Sequence, residues 1–184
     1  LKAGLATDED LYQIDLPGVD LRGVNLSQIS LLGANLSGAN LSAANLQGAD
    51  LRGINLQGAN LQGANLQDAY LNRAALQKAN LQDANLTGAR LQVALYDRET
   101  VWPQGYLYKS SGAIGPGANL AGAYLSTANL RNADLQGANL LGAYLSGVDL
   151  TGANLEDARL SGADLRLAYF TGAYLRNARL NGVD

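Results

Sequence analysis

Leucine returns at every fifth residue from Leu11 to Leu91, and again from Leu120 to Leu180 with Phe170 as the one substitution. Two places before each centre stands a small or branched apolar residue, as at Ala59, Ala64 and Ala69. It is bulkier in the first turns, at Ile14, Val19, Val24 and Ile29. The residue just before the centre is usually Asn or Asp, and the one just after is mostly polar. On an α-helix, steps of five advance about 140° beyond a full turn, so the leucines spiral over every face. In a straight strand they alternate between faces, because side chains alternate with period two. The apolar pair two residues apart does suit one face of a very short strand. A chain that bends after each such strand turns the next pair back to the same interior. The pattern therefore predicts a coil of short straight sides around a thin core.

Glycine supports the bend. Of 22 glycines, 17 occupy the second place after a centre, among them Gly38, Gly48, Gly58, Gly63, Gly137 and Gly152. Glycine tolerates the positive φ that the third residue of a type II turn requires. Asp68, Arg73, Lys78 and Asp83 fill this place in succession. Type I turns, which accept most residues, are expected at those four corners.

The run ANLSGANLSAANLQGADLRG, Ala34 to Gly53, resembles the pentapeptide-repeat proteins, whose pattern is A-(D/N)-L-X-X. The resemblance extends over both blocks. It implies an all-β fold, a right-handed quadrilateral β-helix built as a solenoid of square coils with four pentapeptides per coil. A coil of that size sets positions twenty apart about 4.8 Å from one another. Asn25, Asn45, Asn65 and Asn85 then form one column and Asn40, Asn60 and Asn80 another. Such asparagines are expected to satisfy backbone groups at the turns. They are also placed to pass side-chain hydrogen bonds along the axis.

Between the blocks lies YDRETVWPQGYLYKSSGAIGPG, residues 96–117, which carries the only Trp. The centres jump from Leu91 to Leu120, a gap of 29 that is not a multiple of five. The organisation expected is a single domain over 1–184. It comprises an N-terminal cap over 1–10, a first repeat block over 11–95, a looped-out insertion over 96–117 and a second block over 118–184. The insertion is aromatic, unlike a flexible linker, and is expected to pack. Tyr124 and Tyr144 stand twenty apart, as do Ala121 and Leu141, so together they form an apolar strip. Trp102, Tyr106 or Tyr108 is expected to cover this strip. The same six residues, Trp102, Tyr106, Tyr108, Tyr124, Leu141 and Tyr144, are otherwise a candidate surface for a protein partner.

A solenoid exposes strand edges at its ends. The stretch TDEDL, Thr7 to Leu11, is expected to open a capping helix, with Thr7 as N-cap and Asp8 and Glu9 in the first turn. A solvated cap is favoured there over an acidic metal site. At the other end ARLNGVD, Ala178 to Asp184, stops within a repeat, and an end-to-end homodimer is one expected way to cover the open coil.

Composition narrows the chemistry. Cysteine and histidine are both absent, which removes thiolate nucleophiles, thiolate metal ligands and the usual general base. No phosphate-binding loop is present, since the glycines punctuate the repeat. An enzyme is therefore disfavoured and no cofactor is expected. No apolar run approaches the roughly 20 residues of a membrane span. The resemblance raises a second reading, because some pentapeptide-repeat proteins are acidic DNA mimics that bind topoisomerases such as gyrase. Seven to eight coils make a rod of about 36 Å at strand spacing. A duplex of that length presents on the order of 20 negative charges. This chain has a net charge of −3, and Asp164 and Asp184 share one column while Arg159 and Arg179 share another. Nucleic acid as a direct partner is likewise disfavoured by so small a net charge. The reading preferred is a non-enzymatic scaffold that binds a protein partner, not identified by sequence, through one rigid face. Relatives occupy cytoplasm, periplasm and thylakoid lumen. The chain begins at Leu1 and contains no Met, so export is the expectation favoured here.

Overall fold

The computed structural model describes residues 11–184, and the cap expected over 1–10, with its alternative acidic metal site, lies outside them. The chain divides into two compact units, Leu1–Leu107 and Tyr108–Asp184. Each is a right-handed quadrilateral β-helix, and no α-helix occurs among the described residues.

In the first unit, parallel bridges join residues twenty apart, from Asp15 with Asn35 to Ala75 with Leu95, so each coil holds four pentapeptides. Every side is one bridge wide. The Asn35 N–H donates to the Ile14 carbonyl at 2.8 Å, and the Leu16 N–H donates to the Asn35 carbonyl at 2.9 Å. The apolar pair flanking each bridge faces inward: Ala59, Leu61, Ala64 and Leu66 are all 0% exposed. So short a strand cannot hold its own shape in water. Stacking supplies both the ladder bonds and the buried Leu and Ala surface that keep it straight.

The corners depart from expectation at four places. A centre carbonyl accepts the N–H three residues on, as Leu66 does from Ala69 at 3.1 Å. The third residue of the turn has positive φ at Asp68 (57°), Arg73 (61°), Lys78 (61°) and Asp83 (59°), like the glycines. These corners are therefore type II, where type I was expected. The two turn types differ by a flip of the central peptide, and here that peptide belongs to the stack. The Asp68 N–H donates to the Thr87 carbonyl at 2.9 Å, while the Gln67 carbonyl accepts the Gly48 N–H at 2.8 Å. Flipping one corner breaks both bonds. Each is worth about 0.5–1.5 kcal/mol net, which offsets the roughly 1–2 kcal/mol an L-residue pays in the left-handed region.

The asparagines do both things expected of them. The Asn65 Oδ1 accepts the Gln67 N–H at 3.2 Å and the Asn85 Nδ2 at 3.3 Å, while the Asn65 Nδ2 donates to the Asn45 Oδ1 at 3.1 Å.

The aromatic segment begins inside the stack. Tyr96 takes the next centre position and is buried. Val101 bridges Asn80, which puts Trp102 at the centre after that. In the second unit a turn of 3-10 helix, Tyr108–Ser110, precedes the coils. Its Lys109 carbonyl accepts the Asn119 N–H at 2.7 Å, and Ala113 and Ile114 are buried. From Asn119 onward the twenty-residue register resumes and runs to the bridge between Arg159 and Arg179. Leu135, Leu140, Leu145 and Leu150 form the inner column faces, all 0% exposed.

Candidate functional site

The residue before each centre points outward, so a tyrosine there has no interior to enter. Tyr124 and Tyr144 occupy this place in successive coils of the second unit and are joined by a parallel bridge. Their rings stack in parallel, 4.4 Å between centroids and 1° apart. Tyr124 is 77% exposed and Tyr144 44%. Half-buried Leu141 precedes Tyr144 at the neighbouring corner, and glycines at 122, 142 and 147 keep the surroundings low. The ladder fixes both backbones, since the Tyr144 N–H donates to the Ala123 carbonyl at 2.9 Å and the Leu125 N–H donates to the Tyr144 carbonyl at 2.9 Å. The pair is a rigid, preorganised aromatic surface.

The other aromatic candidates are described within their own units. Trp102 and Tyr106 belong to the first unit, where their rings stack at 5.7 Å and 23°. Tyr96 meets Trp102 edge-on at 5.6 Å and 84°. Burial pushes the Tyr106 phenol above its ordinary pKa. Tyr108 sits in the 3-10 turn of the second unit, with the Lys109 ammonium 5.9 Å from its ring. Five of the six residues thus form two groups within their own units, Trp102 with Tyr106 and Tyr124 with Leu141 and Tyr144, while Tyr108 stands apart from both in its turn.

Three further large side chains of the second unit lie outside the sequence-predicted set, and Tyr174 stands two sides away from the Tyr124–Tyr144 column. Leu167 is 84% exposed, and Tyr169 and Tyr174 are exposed on the two sides that follow it. The signal was present: tyrosine replaces the usual Asn or Asp at 169 and 174, and leucine replaces glycine at a corner.

Six of the described cations pair with carboxylates. In the spacing Asp-Leu-Arg the arginine folds back onto its own aspartate, as Arg22 does on Asp20, Arg52 on Asp50 and Arg166 on Asp164. The hydrogen bonds from Arg166 hold the Asp164 carboxyl down at about 2. Asp20 and Asp50 are lowered for the same reason. Arg131 follows Asn129 and reaches Asp149 on the next coil instead. Asp149 is lowered chiefly by hydrogen bonding from Thr151. Among the described residues no group of three or more His, Cys, Asp or Glu side chains gathers as a metal site, and no helix is long and apolar enough to cross a membrane. The first unit carries an open surface groove of about 520 Å³ along one corner column, floored by Gly33 and Gly53 between Gln13 and Arg73.

A family model described as pentapeptide repeats matches residues 20–58, 54–92, 117–152 and 149–184 in eight copies. The chain belongs to the pentapeptide-repeat family. Among solved structures it is similar to Rfr23 from the cyanobacterium Cyanothece 51142, with 43% identity and a TM-score of 0.49 over 50% of this chain and 62% of that one. It therefore spans less than two thirds of Rfr23. HetL of Nostoc, a pentapeptide-repeat protein involved in heterocyst differentiation regulation, is 34% identical over 94% of this chain and 87% of its own, with a TM-score of 0.41. QnrB1, a plasmid-mediated fluoroquinolone resistance protein, is 19% identical over 95% of this chain and 83% of its own, with a TM-score of 0.44. No curated protein matches the chain.

Proposed function

We propose that the protein is a non-catalytic scaffold that binds a protein partner through the aromatic face of its second unit. The observation that carries this reading is the stacked Tyr124–Tyr144 pair, exposed to solvent on a backbone locked by the ladder. Stacked rings of this kind bury large area on docking and lose little side-chain entropy, which is why tyrosine is favoured at recognition surfaces. Leu141 beside the pair supplies an aliphatic contact, and Leu167 extends the apolar surface from the next coil. Trp102 and Tyr106 are a secondary surface of the first unit.

The DNA-mimic reading finds less support. It needs an uninterrupted acidic stripe, whereas Asp20, Asp50, Asp149 and Asp164 are each held by an arginine. The test uses the full chain as bait in native extract beside a Tyr124→Ala/Tyr144→Ala variant and a Tyr12→Ala control. A partner retained by the parent and the control but lost by the double variant supports the reading. Equal retention by all three baits overturns it, and inhibition of gyrase supercoiling at micromolar protein would favour the mimic instead.

A further inference from the structure

Twelve Lys and Arg side chains lie among the described residues. Six pair with carboxylates: Arg22, Arg52, Lys78, Arg131, Arg166 and Arg176. Arg90 lies over the Tyr70 ring at 4.8 Å and Lys109 over Tyr108, and Arg73 and Arg98 have partners too. The two that remain are Arg159 and Arg179, and they are not scattered. They occupy the same outward column in successive coils, joined by a parallel bridge, and both are exposed. The Arg179 N–H donates to the Ala158 carbonyl at 2.9 Å and the Leu160 N–H to the Arg179 carbonyl at 2.8 Å, which fixes the register.

Adjacent strands stand about 4.8 Å apart, so two arginines extend to solvent from backbones one strand spacing apart. Eight of the other described cations are set against a carboxylate or a ring. Three carboxylates near this column are already engaged. The Glu156 carboxylate accepts from Arg176 at 3.2 Å, Asp157 accepts from Asn177 at 3.1 Å, and Asp164 is held by Arg166 at 2.7 Å. The approach is open as well, since a Cβ added at Gly162 or Gly182 on the following corner meets nothing within 4 Å.

We infer that the Arg159–Arg179 pair is an anion site that receives an acidic side chain of the protein partner. The inference rests on the reading of this unit as a protein-binding face, to which it adds the partner's chemistry. Guanidinium forks bind carboxylates with two parallel hydrogen bonds each. The column above is Asn119 and Asn139, with no further cation, so the site suits one or two carboxylates and not the row of phosphates that a nucleic acid presents. Leu141 and the Tyr124–Tyr144 pair lie around the next corner in chain order, which places apolar and acidic contacts of one partner on neighbouring sides.

The test follows the side-chain Nε–Hε resonances of the arginines in the full chain while acetyl-tetraglutamate amide is added. Saturable shifts are expected at Arg159 and Arg179, with Arg22 and Arg52 unmoved. Arg159→Gln/Arg179→Gln should abolish the saturable component. Tyr124→Ala/Tyr144→Ala should leave this titration unchanged even where it abolishes partner retention, so the site and the aromatic face succeed or fail separately. Non-saturating shifts shared by all arginines overturn the proposal. So does a response of Arg159 and Arg179 to a short oligonucleotide with none to the peptide, which would assign the pair to phosphate.

Discussion

Asn80 bridges Val101 across 21 residues, where the other bridges span 20. The extra residue falls between Tyr96 and Val101, and Asp97 repairs the register. Its Oδ1 accepts the Lys78 N–H at 3.0 Å, in the role that a backbone carbonyl plays for Asp68 or Arg73, and also the N–H groups of Glu99 and Thr100 at 3.0 Å. The Thr100 hydroxyl, in a residue only 8% exposed, donates to the Leu76 carbonyl at 2.9 Å. Thr100→Val keeps the shape but removes the hydroxyl that accepts the Asp97 N–H at 3.1 Å and leaves the Leu76 carbonyl with the Ala79 N–H alone. It should cost about 1–3 kcal/mol in urea unfolding, the penalty for buried polar groups left unsatisfied, whereas a change under about 0.5 kcal/mol would show that the hub is incidental.

The corner geometry makes its own prediction. Gly58 has φ of 65°, and an added Cβ there meets nothing within 4 Å. Gly58→Ala therefore tests conformation without a clash and should destabilise by roughly 1 kcal/mol, the cost of the left-handed region. Arg73→Gly at φ 61° should be neutral or mildly stabilising, because relief of the same strain is countered by the greater freedom of glycine when unfolded. Equal losses in both variants would contradict a stack-enforced type II corner.

Acid provides a third test. Arg166 donates from Nε and Nη2 to Asp164 at 2.8 and 2.7 Å, and the carboxyl titrates at about 2. The folded value lies below the unfolded one of about 3.9. Any stability from this pair is thus complete above about pH 4 and lost as pH falls through about 2. Carbon-detected titration of Asp164 should show a midpoint near 2, returning to the ordinary carboxylate range in Arg166→Gln. An ordinary midpoint in the parent protein would mean that the pair does not persist in solution.

The fold was legible because its signal repeats. The inward burial of Ala59 and Leu61 follows from one pattern read many times, and each repeat confirms the last. Turn type at Asp68 through Asp83 was not legible, since local preference allows type I and only the neighbouring coil forbids it. The boundary at Leu95 was blurred for a related reason: Tyr96 and Trp102 occupy centre positions without being leucine, and the extra residue hides their spacing. Of the candidate site, Tyr124 with Tyr144, and Leu141 with Ala121, are marked in the sequence by twenty-residue separations. Leu167, Tyr169 and Tyr174 have no such partner above them and escaped that search. Arg159 and Arg179 stand out in the sequence as a column, but only side-chain geometry shows that, among the described residues, the other cations are partnered and these are not.

The central claim is that the fifth-residue rhythm sends the centres of each unit into a narrow interior, and adjacent substitutions test it most directly. Denaturant unfolding of Leu61→Ala, fully buried, is compared with Gln62→Ala, the exposed residue that follows it. Leu61→Ala should lose roughly 2–5 kcal/mol, because a thin core has no spare atoms to fill the void. Gln62→Ala should stay within about 0.5 kcal/mol of the parent. Equal losses at the two positions, or a larger one at Gln62, would contradict the inward assignment.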